Sequence, residues 1–202
     1  MNTFFLKTLL HLGSQLTLTG LTAINTRTTK ISNKWMWFII SICLYFAMRK
    51  LNHNIPIHIR IVMFCLFSIL NGIILSTFLK YLDPVDIKSA LFYTVFVFIT
   101  MTSIGFIIIK RNIDVTPLVL CIAMYSVTMI IMYVYMIFFD TRKQTKQYLK
   151  MASIALMAFY IVFDTYNNFE KDYKNDIIVS TLDYYTDIVT IFQNMLSYFS
   201  NQ

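Results

Sequence analysis

Long apolar runs without charged residues constrain this chain more than any other feature of its sequence. Three runs contain no Asp, Glu, Lys or Arg: Ile61 to Leu79, Ser89 to Ile109 and Val115 to Phe139. A helix needs roughly 20 residues to cross the ~30 Å hydrocarbon core of a bilayer, and these runs match that length. Because lipid offers no partner to an unpaired backbone group, the runs indicate membrane-spanning α-helices.

Four further apolar segments complete a prediction of seven spans, and the second of these segments is shorter than the others. They are Thr8 to Thr26, Trp35 to Met48, Met151 to Phe169 and Ile177 to Ser200. All seven are longer than the roughly 9 to 11 residues of a barrel strand. The connections are too short to hold a soluble domain, so we expect one domain, residues 1–202, that folds as an all-α integral membrane protein.

The composition and the placement of charge agree with a membrane setting. Hydrophobic residues make up 57% of the chain and charged residues 13%, against roughly 25% charged in a soluble domain. The 17 Lys and Arg exceed the 10 acids and lie mostly between apolar runs, where they suit anionic lipid headgroups. They form no basic face for nucleic acid. Lys and Arg divide almost equally between alternate loops, so they do not set the orientation.

Cysteine and histidine predict neither a disulfide framework nor a metal site. Cys43, Cys65 and Cys121 each lie alone in an apolar run, without a CxxC pair, and are interpreted as buried small apolar residues. His53 and His58 share a loop, but no third ligand is close in the sequence. We therefore expect no cofactor and no tightly bound metal.

Two carboxylates within predicted spans are the strongest functional candidates. Asp164 lies in span six and Asp187 in span seven, and each is roughly 12 to 16 Å from the short loop between them at 1.5 Å per residue. Ionisable groups are costly at this depth and usually mark function. Two such acids in contact tend to share one proton and would act as a proton sensor. Alternatively, each is separately hydrogen-bonded to neighbouring Ser, Thr or Tyr, or reaches the membrane interface.

Several other charged residues lie in or beside the predicted spans, and most of them allow two interpretations. Asp183 lies one turn before Asp187 on the same helix face, and with Asp176 it is a candidate for an ion path or a solvated acid near the headgroups. Arg49 ends the short second span in FAMRK and either pairs with a carboxylate or extends to lipid phosphates. Asp140, in a second FDT sequence, is interpreted as interfacial because Arg142 and Lys143 follow closely.

Several segments resemble the transmembrane Bax inhibitor motif family over nearly the whole chain. The segment IVFDTYN around Asp164 is similar to the YDTQ sequence of that family's helix six, and YYTDIVTIF around Asp187 is similar to LYLDIINLF of helix seven. Weaker similarity extends through NGIILS, SALFYTVFVF and FLKTLLHLGSQLTLTGLTA. Tyr166 replaces the motif's Gln and Thr190 its Asn, so local hydrogen bonding differs while both acids are present.

The resemblance implies seven helices, with helices one to six around helix seven. It implies a pH-sensitive calcium leak gated by Asp164 and Asp187, with Arg49 as their latch. Calcium is then the permeating ion, and protection from cell death is the associated role. The implied location is the endoplasmic reticulum or Golgi in a eukaryotic or viral setting, or the inner membrane of a bacterium.

Two other function classes compete with the leak channel. A non-conducting protein could act on cell-death membrane proteins through helix contacts, and sequence alone does not separate it from a channel. An intramembrane aspartyl protease also sets two aspartates on adjacent helices, but it needs a GxGD loop. The four glycines are Gly13, Gly20, Gly72 and Gly105, none near Asp187, so we expect no enzyme activity.

Overall fold

The chain is α-helical throughout the parts that the computed structural model describes, residues 3–29, 34–50, 55–139, 142–170 and 176–200. These ranges contain seven helices and no strand, which confirms the all-α class. In chain order the helices are α1 (Thr3–Asn25), α2 (Lys34–Lys50), α3 (Ile57–Leu79), α4 (Pro84–Lys110), α5 (Thr116–Phe138), α6 (Lys143–Glu170) and α7 (Ile177–Phe199). Each segment predicted from the sequence overlaps one helix, and α6 begins eight residues before the predicted start at Met151.

Four of the described helices, α3, α4, α5 and α6, are long and apolar enough to cross a membrane. The helix α2 has 17 residues, fewer than the roughly 20 that a perpendicular span requires. The helix α7 is long enough, but Asp183 and Asp187 make it more polar. Length and composition therefore support four spans and indicate an integral membrane protein.

The helices divide between two compact units. Unit one comprises Met1–Asp83 and Lys171–Tyr185, and unit two comprises Pro84–Glu170 and Thr186–Gln202. The first part of α7 thus belongs to unit one and the remainder to unit two. That residues 1–202 form one domain stays a prediction.

In unit one, α3 packs against both α1 and α2. A β-carbon on Gly72 of α3 would lie only 2.7 Å from the carbonyl oxygen of Thr19 on α1, so this glycine allows the two backbones to approach closely. The rings of Phe64 and Phe67 lie 5.5 and 5.6 Å from the ring of Tyr185 on α7. These rings form an apolar core against the first part of α7.

In unit two, α6 packs against both α4 and α5. The core on the α5 side consists of Ile122, Met129, Leu149 and Leu156. On the α4 side, a β-carbon on Gly105 would lie 2.7 Å from the β-carbon of Thr165. The small residue therefore sets a close α4–α6 contact beside Asp164, which directly precedes Thr165.

Large apolar side chains cover much of the outer surface of α4 and α5. Examples that are more than half exposed are Phe92, Phe96, Ile99, Leu120, Met124, Ile130 and Ile131. Such a surface suits lipid and would be a liability in water. Cys43 and Cys121 are also exposed, so the expectation that they are buried was wrong. A small apolar residue needs no burial where the surrounding solvent is itself apolar.

Candidate functional site

Asp164 and Asp187 are both buried, and both belong to unit two. Their exposed fractions are 5% and 6%. The surroundings of Asp164 on α6 are tightly packed, because Thr165 and Asn168 have no exposed surface. The side-chain amide of Asn168 donates to the backbone carbonyl of Asp164 at 2.8 Å. The site thus holds carboxylates where solvent has little access and ionisation is costly.

Hydrogen bonds between α6 and α7 in unit two fix the register of these helices. The side-chain amide of Asn194 donates to the hydroxyl of Ser153 at 3.1 Å, and the ammonium group of Lys150 donates to the carbonyl of Ser197 at 3.0 Å. Both bonds fit one antiparallel alignment. When this alignment is extended along both helices, Asp187 lies opposite residue 160 of α6. Residue 160 is four residues from Asp164, which is about 6 Å along the helix axis at 1.5 Å per residue. The pair as a proton sensor stays a prediction.

Arg49 forms an ion pair with Asp183 in unit one. One of its terminal nitrogens donates to Asp183 Oδ1 at 2.7 Å, and its guanidinium carbon lies 5.6 Å from the ring centre of Tyr45. The Arg49 side chain is 48% exposed and that of Asp183 is 12% exposed. Arg49 thus contacts a carboxylate of α7, one turn before Asp187, and its role in the predicted sensor stays a prediction.

Asp176 has two structural functions at the start of α7. Its Oδ1 accepts the backbone N–H groups of Ile178 and Val179 at 3.0 and 3.2 Å, which is the bonding of a helix N-cap. The same carboxylate accepts hydrogen bonds from Arg60 of α3, at 2.8 Å to Oδ1 and 2.7 Å to Oδ2. These contacts explain why Asp176 is present, and its place on an ion path stays a prediction.

The Arg60–Asp176 pair is largely buried, a feature that sequence reasoning missed. The two side chains are 8% and 11% exposed. The position of Arg60 before a charge-free run suggests an interfacial cation, and nothing in the local sequence identifies its partner 116 residues later. Only the packing of α3 against the start of α7 brings the charges together.

A buried polar network in unit one was also missed. The hydroxyl of Ser68 donates to the side-chain oxygen of Gln15 at 2.7 Å, and the hydroxyl of Thr19 lies 2.6 Å from that of Tyr185. Nearby, the hydroxyls of Thr8 and Ser180 are 3.2 Å apart. Because burying an unpaired polar group is costly, these bonds account for the burial of the Ser180 and Tyr185 hydroxyls of α7.

Within the described ranges, no group of three or more His, Cys, Asp and Glu residues is arranged to hold a metal ion. His58 is exposed. His53 and Asp140, which the sequence interpretation also considered, lie outside the described residues. That Asp140 is interfacial therefore stays a prediction.

The apolar helices and the buried aspartates define the class: an α-helical integral membrane protein with carboxylates inside its helix packing. The sequence model of the family described as "Inhibitor of apoptosis-promoting Bax1" matches residues 1–202, the whole chain. The chain belongs to this Bax inhibitor family, which confirms the predicted resemblance. A comparison with curated proteins found no match. Membership of the family supports an anti-apoptotic membrane protein.

Proposed function

We propose that this protein is a pH-sensitive calcium leak channel that protects cells from death in an intracellular or bacterial inner membrane. The observation that carries the proposal is the burial of Asp164 and Asp187 in one unit, on helices whose register sets them about one turn apart in height. Family membership supports the cytoprotective role. In the proposed arrangement all seven helices span the bilayer and α7 is surrounded by α1 to α6.

The burial of α7 is consistent with that arrangement. Every residue from Ile177 to Phe199 is buried or half-buried, although the helix carries two acids. A helix of this polarity is stable in a membrane where neighbouring helices shield it from lipid.

Gating in this proposal depends on the charge shared by Asp164 and Asp187. Uptake or loss of one proton changes the electrostatic repulsion in a site with little access to solvent. The change biases the equilibrium between a closed and an open helix arrangement. Arg49 acts on the same helix through Asp183, and its partly exposed ion pair costs little to break because solvent screens it.

Calcium is proposed as the permeating ion, and the function requires no chemical reaction and no bound cofactor. Carboxylate oxygens are ligands that calcium prefers, and Asp183 and Asp176 are the candidates for the ion path. Other proposed partners are the lipid bilayer and membrane proteins that regulate cell death.

Calcium flux into liposomes tests the proposal. The purified full chain is reconstituted into vesicles loaded with a calcium-sensitive dye, and flux is recorded from pH 5 to pH 8. We expect Asp164→Asn and Asp187→Asn each to abolish most of the pH dependence, because each removes one member of the titrating pair. Asp83→Asn is the matched control, because this substitution makes the same change of charge at an exposed residue.

Equal pH-sensitive flux in the wild type and both aspartate variants would exclude the sensor. A complete lack of flux in the wild type, together with cell protection that survives loss of both aspartates, would support a non-conducting interaction protein instead.

A further inference from the structure

A pocket lined by lysines lies at the start of α6 in unit two. Its volume is about 250 Å³, and its lining includes Lys143, Lys146 and Lys150 of α6, Asn194 of α7, and Tyr133 and Met136 of α5. Positions 143, 146 and 150 recur at the spacing of one helix face. Among the described lining residues none is an acid, so the pocket has a strongly positive character.

The three lysines occupy an electrostatically unfavourable position. Lys143 and Lys146 lie in the first turn of α6, where the partial positive charge of the helix dipole disfavours cations. They also repel one another at this spacing. A bound anion would offset both effects.

The ammonium groups have hydrogen-bonding capacity to hold such an anion. Lys150 donates one hydrogen bond to the carbonyl of Ser197 at 3.0 Å, and an ammonium group has three donors. Lys143 and Lys146 are exposed, so their head groups can reach a ligand that enters from outside. The Asn194 amide is held in place by Ser153 and by the carbonyl of Thr190.

The surroundings indicate a ligand with both a charged and an apolar part. The lysines directly precede the apolar part of α6, which begins at Met151, a residue 49% exposed. Tyr148 is 75% exposed, and Ile137 and Phe138 at the end of α5 are 79% and 76% exposed. Aromatic residues beside cations at the end of a span are typical of the boundary between headgroups and hydrocarbon.

We propose that this pocket binds a phosphate group, carried by an anionic phospholipid whose acyl chains lie against the apolar surface beside it. Phosphate oxygens accept hydrogen bonds from several ammonium groups at once, and basic pockets at the membrane surface bind anionic headgroups. A soluble phosphate compound has the same headgroup chemistry but makes no use of the exposed apolar side chains. The proposal is independent of calcium conduction.

Native mass spectrometry of the detergent-purified full chain tests the site. Phosphatidylglycerol and phosphatidylcholine with identical acyl chains are titrated separately, and glycerol 3-phosphate serves as the soluble probe. We expect a preference for phosphatidylglycerol that falls about 30-fold in K143Q/K146Q, at roughly one kcal/mol per lysine near a membrane surface. The matched control is K88Q/K110Q, which removes two exposed lysines of α4 in the same unit and should retain the preference.

Three results would overturn the proposal. Equal affinity of the wild type for the two lipids would show that the pocket does not select a headgroup with a net negative charge. An equal loss in both double variants would assign the preference to overall charge. Binding of glycerol 3-phosphate as tight as that of phosphatidylglycerol, lost in K143Q/K146Q alone, would assign the pocket to a soluble phosphate compound.

Discussion

Removing one member of the Arg60–Asp176 ion pair should cost more stability than removing one member of an exposed charge pair in the described chain. Replacing Asp176 with Asn keeps a good N-cap residue for α7 but leaves the guanidinium of Arg60, whose side chain is 8% exposed, without a charged partner. Removing one member of a buried pair costs about 3 to 5 kcal/mol. At about 2 to 4 °C per kcal/mol for a chain of this size, the expected loss is about 6 to 20 °C in Tm.

The matched control is Asp183→Asn, which removes the same charge from a pair whose arginine is 48% exposed. Because solvent screens that pair, its loss should cost about 1 kcal/mol or less. Thermal unfolding of the full chain in detergent, followed by the fluorescence of its tryptophans, measures both variants under one condition.

A double variant separates the charge from the packing. In Arg60→Met combined with Asp176→Asn neither member of this pair remains as an unpaired buried charge, so most of the lost stability should return. Two results would refute the reasoning: equal Tm values for Asp176→Asn and Asp183→Asn, or a double variant less stable than Asp176→Asn alone.

Two further predictions test local features. Gly105→Ala places a β-carbon against Thr165 and should cost about 1 to 3 kcal/mol of stability by overpacking. In the control, Gly20→Ala, the added β-carbon meets no atom within 4 Å, so this change should be neutral or slightly stabilising. Equal Tm values for the two variants would contradict this prediction. In the α4–α5 loop, the backbone N–H and the hydroxyl of Thr116 hold the pKa of Asp114 below its ordinary value, so their stabilising effect is present above that value and is lost as pH falls. Thr116→Val should raise the Asp114 pKa in an NMR titration of the carboxyl carbon, and an unchanged pKa would show that the hydroxyl bond is unimportant.

The apolar runs and the two deep aspartates were predictable from sequence because each depends on local chemistry. A charge-free run of about 20 residues has few alternatives to a helix in lipid, and an acid within such a run is conspicuous. The start of α6 illustrates the opposite case. From sequence alone its lysines are indistinguishable from ordinary loop cations. The pocket is evident only in the structure, where residues of α5 and α7 form its remaining walls.

Partners that are distant in sequence were not predictable by the same means. Gln15 and Ser68 are 53 residues apart, and Thr19 and Tyr185 are 166 apart. Polar residues of this kind occur in many helices without a specific partner. Helix periodicity predicts which face of a helix is apolar, but it does not predict which helix packs against that face. Only the packed structure shows which polar faces meet.

In the proposed seven-span arrangement, the polar helix α7 depends on its hydrogen bonds and ion pairs for stability in lipid, so a movement of this helix must exchange them. These contacts differ in strength. The Arg49–Asp183 pair is partly exposed and is weakened by solvent, whereas the Arg60–Asp176 pair is shielded and also supports the helix N-cap. A gating movement of α7 should therefore release Arg49 first while the start of the helix remains anchored to α3. The Tm comparison of Asp176→Asn with Asp183→Asn ranks these two contacts, and the reverse ranking would exclude this order.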